Sequence, residues 1–183
     1  LSLGINDGLC VVINFLDCSL IQSCGCLKIS RFGMKYTLRR VETTIKEFFG
    51  NNGGDFMSHK MEHEMGGMFD VTHGAGLAAI WPHWARYVYK DCLPRFVRYA
   101  RNVMGVTAGG TDEETALAGI DAMVEFYHAI GMPTNFHELG ISPTDEQINE
   151  MARRCLEASG AATGSAKKLT FDDMVAIYRA ANK

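Results

Sequence analysis

Residues 58–74 read SHKMEHEMGGMFDVTHG and carry three of the chain's six histidines. His59 and His63 stand four apart, so on a helix both imidazoles project from one face and can approach one ion or one substrate. His73 comes fourteen residues after His59, where Asp70-Val-Thr-His73-Gly74 suggests a helix end with His73 returned from a turn. Gly66 and Gly67 would let another backbone come close. A lone histidine is usually a satisfied core or surface residue, but two at helical spacing plus one beyond a turn point to a site.

Two chemistries compete for these residues. His59-Lys-Met-Glu-His63 matches H-x-x-E-H, in which two histidines hold zinc and a glutamate, here Glu62, acts on the bound water of a metallopeptidase. Glu62 lies three residues after His59 and one before His63, toward the flank of the histidine face. The continuation through residues 69–77 has no role in that chemistry, so the zinc metallopeptidase reading stands second.

The longer pattern is more specific. His59-x-x-x-His63-x-x-Gly66, then Thr72-His73-Gly74 and Ala75-Gly-Leu-Ala-Ala-Ile-Trp-Pro82, resembles the histidine signature of the iron-dependent alcohol dehydrogenases, most closely their NAD(P)H-dependent butanol dehydrogenase branch. The likeness continues through Trp84-Ala-Arg-Tyr87, residues 126–133, Glu138-Leu-Gly140 and residues 169–180, and so covers roughly residues 53–183. Thr72 stands where many members have proline and Glu62 where many have alanine.

The resemblance implies a helical metal-binding C-terminal domain in which His59 and His73 are metal ligands while His63 faces the nicotinamide and the substrate, as a catalytic and cofactor-contacting residue. It also implies a divalent metal, Fe2+ with Zn2+ as the alternative, since imidazole suits both. NADH or NADPH would be the hydride carrier and a small alcohol or aldehyde of the butanol/butanal type the substrate. A homodimer is compatible with the resemblance in the intact enzyme. The family completes its metal site with an aspartate and a further histidine upstream, whereas no histidine precedes His59 here. Residues 1–52 contain no GxGxxG or similar glycine cluster after a strand. The expectation is therefore a fragment, inactive alone for want of the nucleotide-binding domain. A helical interaction or regulatory remnant without catalysis is the alternative.

The elements that would position these residues are helical. From residue 53 onward the expected fold is all-α. Thr111 and Glu114 form a capping box before a helix whose apolar positions are Leu117, Ile120, Val124 and Tyr127, ended by Gly131 and Pro133. Ser142-Pro143, or Thr144 with Gln147, opens a helix bearing Ile148, Met151, Cys155 and Leu156 up to Gly160. Thr170 and Asp173 cap a last helix bearing Met174, Ile177 and Tyr178. Asp55 or Ser58 could cap the histidine helix, and residues 75–104 form two helical stretches, broken or kinked near Pro82 and restarted at Pro94. Residues 1–52 match the family pattern poorly: residues 9–16 suit a strand or a short buried helix, 37–49 an amphipathic helix, and the segment as a whole is expected to be disordered or out of register. The domain boundary is drawn at the glycine-rich turn 50–54.

Composition narrows the remaining classes. A net charge of −3 over 183 residues gives no electrostatic case for nucleic acid. The longest apolar run, residues 9–16, is far short of the roughly 20 residues a membrane helix needs, and no basic region precedes it as in a signal peptide. Six cysteines without a secretory signal suit reduced thiols in a cytoplasmic protein. Cys24-Gly-Cys26 is too closely spaced for a zinc knuckle. His83, His128 and His137 are expected at the surface or at helix ends, with Trp81 and Trp84 in the core. Asp70 could approach His73.

Overall fold

The computed structural model describes residues 55–107, 110–159 and 164–183. Among them the helices are α1 (Met57–Phe69), α2 (His73–Val88), a 3-10 turn (Tyr89–Cys92), α3 (Leu93–Asn102), α4 (Asp112–Ala129), α5 (Phe136–Leu139), α6 (Asp145–Ser159) and α7 (Phe171–Ala181). No β-strand occurs among the described residues, as expected for an all-α domain. The expectations for residues 1–52, including the strand or helix over 9–16, the helix over 37–49 and the thiols from Cys10 to Cys26, lie outside the described residues.

Local sequence chemistry sets most helix starts. Glu114 N–H donates to Thr111 Oγ1 at 3.2 Å while Thr111 N–H donates to Glu114 Oε2 at 2.7 Å, so two otherwise orphaned amides satisfy each other's side chains. Thr170 and Asp173 repeat the arrangement at α7. At α6 the alternative pair serves, with Thr144 N–H donating to Gln147 Oε1 and Gln147 N–H to Thr144 Oγ1. The first turn of α1 is capped by Asp55 rather than Ser58: its Oδ1 accepts from Met57 N–H at 2.9 Å, and Ser58 is buried inside the helix. The other Asp55 oxygen accepts from Ser165 and Ala166 N–H, which fastens the segment before α7 to the start of α1.

Helix α2 packs against α1, α4, α5 and α7 and is the centre of the core. Trp81 is fully buried and meets Tyr99 of α3 and Tyr127 of α4 edge-on, with centroids 6.0 and 6.2 Å apart. Trp84 packs beside Phe96. Both tryptophans are core residues, as their spacing suggested. Pro82, however, does not break the chain: α2 runs through it to Val88, and the interruption falls at Tyr89–Cys92. A mid-helix proline costs about 3 kcal/mol. Burying Leu77, Ile80, Trp81, Trp84 and Val88 along the same helix, at roughly 1.5–3 kcal/mol per large side chain, outweighs that cost.

Helix α4 departs from its apolar pattern in another way. Its buried face runs through Ala116, Gly119, Ile120, Met123 and Tyr127, with Leu117 and Val124 only partly covered. Gly119 explains the rotation. A Cβ placed there would stand 2.5 Å from Ala100 Cβ, so α3 and α4 approach across small residues rather than large ones. On the other side, α1 presents Met57, Met61 and Met65 to the core and packs on α2 and α6. Tyr178 of α7 donates its hydroxyl to the Met61 carbonyl at 2.7 Å, which fixes α1 from below.

Candidate metal centre

The site rests on the connection between α1 and α2. Asp70 adopts the left-handed conformation (φ 52°, ψ 42°) and its N–H bonds back to Gly66 O at 2.9 Å, which ends α1. Aspartate is among the few non-glycine residues that tolerate this region. Thr72 is extended, and its carbonyl accepts from Gly76 N–H, so the next helix begins at once. His73 is therefore the first residue of α2, returned from the turn as its flanking residues suggested. Asp70 serves as the exposed helix terminus.

Three residues of connection return α2 against α1 and bring the three histidines together. Ring centroids are 4.8 Å apart for His59 and His73, 5.6 Å for His59 and His63, and 5.4 Å for His63 and His73. One nitrogen from each lies within 4.8 Å of the others. His59 is half-buried, whereas His63 and His73 are exposed. The tightest pair is His59 Nε2 and His73 Nε2, 3.1 Å apart.

Glu62 is the residue that spacing alone misplaced. It faces inward rather than toward the flank, is 1% exposed, and its Oε2 bonds to His73 Nδ1. Two glycines make room for the carboxylate: a Cβ at Gly76 would stand 2.7 Å from Glu62 Oε1, and one at Gly66 3.2 Å. Burial pushes the Glu62 carboxyl up to about 8. Burial, then the neighbouring His59 and His63, hold His73 below the ordinary histidine value, so the neutral imidazole that can act as a ligand is favoured.

The donor set fits a divalent metal ion. Two imidazole nitrogens that each sit about 2.0–2.1 Å from one ion stand about 2.8–3.4 Å apart across octahedral to tetrahedral geometry. The 3.1 Å between His59 Nε2 and His73 Nε2 lies in that range. Neutral imidazoles suit iron and zinc alike. The arrangement does not suit Glu62 as the base of a metallopeptidase, because its carboxylate is enclosed and bonded to a histidine, away from any water at the exposed edge.

The other histidines do not join this cluster. His83 Nε2–H donates to the Thr134 carbonyl at 3.0 Å, and burial lowers it to about 4. It is half-buried, further inside than a surface placement would give. His128 is exposed and bonds to Thr134 Oγ1 at 2.9 Å, and His137 is exposed near the chain end. No helix among the described residues is long and apolar enough to cross a membrane. Cys92 and Cys155 are free thiols.

Comparison with known proteins identifies the family of the domain. Residues 47–182 match the Fe-containing alcohol dehydrogenase family, C-terminal. Probable NADH-dependent butanol dehydrogenase 2 of Bacillus subtilis is 36% identical over 129 residues, 69% of this chain and 33% of that protein. NADH-dependent butanol dehydrogenase A of Clostridium acetobutylicum is 33% identical over 122 residues, 66% of this chain and 31% of its own length. The crystal structure of NADH-dependent butanol dehydrogenase A from Thermotoga maritima matches with a TM-score of 0.73 at 24% identity, covering 100% of this chain and 54% of that one, a likeness of fold. The chain spans about a third of the length of the curated relatives it matches.

Proposed function

Because the chain belongs to the Fe-containing alcohol dehydrogenase family, whose C-terminal domain it matches, we propose that it is the metal-holding part of an enzyme that interconverts primary alcohols and aldehydes of the butanol/butanal type. In this reading His59 and His73 hold the metal, Fe2+ with Zn2+ as the alternative, through their Nε2 atoms. The observation that carries it is the 3.1 Å approach of those two nitrogens, with the other ring nitrogen of His73 bonded to buried Glu62.

His59 and His73 would hold the metal, which would supply Lewis-acid polarisation of the aldehyde carbonyl oxygen, and a bound NADH or NADPH would supply the hydride. His63 stands one helical turn beyond His59 on the same face and is exposed, so it orients the substrate or nicotinamide and can pass a proton. Glu62 keeps Nδ1 of His73 engaged and turns the lone pair of Nε2 outward. The names of the butanol dehydrogenase relatives favour NADH. Since the chain spans about a third of those relatives, the complete reaction is assigned to a protein that also supplies a nucleotide-binding domain. The 183-residue chain alone is then expected not to oxidise NADH with butanal.

The test is metal retention after dialysis against a mild chelator, measured on a reconstructed longer enzyme and its single variants, because the two imidazoles of this chain are expected to hold an ion only weakly by themselves. His59→Ala and His73→Ala should each lose the ion, whereas His63→Ala should retain it. In a reconstructed longer enzyme, His63→Ala should lower kcat at unchanged metal content, because it acts on the chemical step and not on binding. Undiminished metal in the His73→Ala variant would remove the ligand assignment.

A further inference from the structure

The carboxylate of Glu62 has both oxygens placed. Oε2 meets His73 Nδ1, and Oε1 sits where a Cβ on either Gly66 or Gly76 would intrude, at 3.2 and 2.7 Å. The side chain is 2% exposed, while the histidine it touches is 45% exposed. A carboxylate taken out of water without a partner is costly, so a buried one is held by what it bonds to. Here the glycine on its own helix and the glycine on α2 leave it one direction in which to present an oxygen, toward the ring of His73.

We infer that Glu62 is a positioning residue for His73, set in a two-glycine cradle so that the imidazole offers Nε2, and not Nδ1, to the metal. This rests on the reading of His59 and His73 as ligands. An imidazole ring free to turn can present either nitrogen, and each choice places the ion differently. In the metal-loaded state Glu62 is ionised and accepts from Nδ1–H of His73, which leaves the lone pair on Nε2, the atom that faces His59 Nε2. Gly76 then has a chemical role, since a methyl group there crowds both Glu62 and Met65, and Gly66 leaves the same carboxylate its room on the other side. Glu62 touches neither substrate nor ion in this arrangement.

The test uses the full 183-residue chain with Zn2+ as probe, titrated in competition with a chromophoric chelator. Removing an outer-shell partner typically lowers metal affinity by about 10–100-fold. Glu62→Ala should fall in that range. Glu62→Gln, whose side-chain carbonyl still accepts from Nδ1–H, should recover part of the loss. Gly76→Ala should weaken binding in the same direction, because its methyl group meets Glu62. Nitrogen NMR of the Zn2+-loaded wild type should show His73 protonated at Nδ1 and ligating through Nε2, a readout that survives even if Glu62→Ala fails to fold. Zinc affinity of the folded Glu62→Ala variant within about twofold of wild type, well short of a second-shell loss, while His73→Ala loses the ion, would overturn the inference and leave the ligands standing. Ligation through His73 Nδ1 would overturn it as well. If His73→Ala bound Zn2+ as tightly as wild type, the ligand assignment would fall first and the inference with it.

Discussion

Two clusters in this domain each combine histidines with one glutamate, and they are built to opposite ends. Around Glu62 the carboxylate is enclosed and the imidazoles of His59, His63 and His73 gather at an exposed edge with ring nitrogens turned on one another. Around Glu138 the carboxylate is 42% exposed and the contacts close on protein groups: Thr134 N–H and Oγ1–H donate to Glu138 Oε2, and His83 and His128 both bond to Thr134. In the second cluster the threonine consumes the donors and acceptors and ties α2 to the start of α5. In the first, the carboxylate occupies one nitrogen of His73 and the second nitrogen is turned toward its neighbours. The number of histidines does not separate a binding site from a structural lock. What separates them is which ring atoms the protein has already used.

The largest effect should come from exchanging the two clusters' roles in a metal titration. The His59→Ala/His73→Ala double variant should lower Zn2+ affinity by more than the about 100-fold expected from outer-shell losses, and the His83→Ala/His128→Ala double variant should leave it unchanged. Equal losses measured by calorimetry would erase the distinction drawn here.

A middle-sized effect concerns pH and stability. His83 has a folded value near 4 against an ordinary 6.5, and it faces Glu138 from α5, Lys183 from the chain end and Arg86 on its own helix. Its folded value is the depressed one, so between pH 6.5 and 4 the unfolded chain binds a proton that the folded chain does not. The contribution is complete above the unfolded value and is lost as pH falls toward the folded one, amounting to roughly 3 kcal/mol at most. Urea unfolding at neutral and mildly acidic pH should show a shallower pH dependence in His83→Gln than in wild type. Parallel curves would mean that His83 is not buried as neutral imidazole.

The smallest effect tests the lock itself. Thr134→Ala removes the hydroxyl that bridges His128 and Glu138 but keeps the backbone bond to the glutamate. It should cost about 1 kcal/mol, typical of one net hydrogen bond, with Zn2+ affinity untouched. A change in metal affinity would couple the two clusters and blur their separation.

Much of this was legible in the sequence where partners lie close in the chain. The boxes at Thr111 with Glu114 and Thr170 with Asp173 are three residues apart, so local geometry decides them before the fold does. The grouping of His59, His63 and His73 follows from one helical turn and one short connection. The inward turn of Glu62 was not legible, because which side of α1 is covered depends on where α2 lands, and helical periodicity puts Glu62 at the margin of both faces. Nor was the buried stripe of α4, which is centred on Gly119 because Ala100 comes close, a contact between residues with no apolar signal of their own. Of the break or kink that Pro82 allowed, the break did not occur, for a related reason: a helix breaker counts locally, but the core on both sides of it counts for more.

The three-residue connection at Asp70 also orders events in time. The His59–His73 contact spans 14 positions along the chain, while the bond from Asp55 to Ser165 spans 110. Loop-closure entropy alone separates the two by about 2 kcal/mol, and helix formation runs in about 0.1–1 μs. The imidazole ring cluster therefore comes together as a hairpin before the chain has closed on itself. Glu62, set between Gly66 of α1 and Gly76 of α2, is enclosed by that same hairpin, whereas α6 and Tyr178 of α7 meet the methionine side of α1 across much longer separations. Chain connectivity thus makes the ion-facing rim and the carboxylate behind it one local unit, less costly to close than the long-range core that backs it.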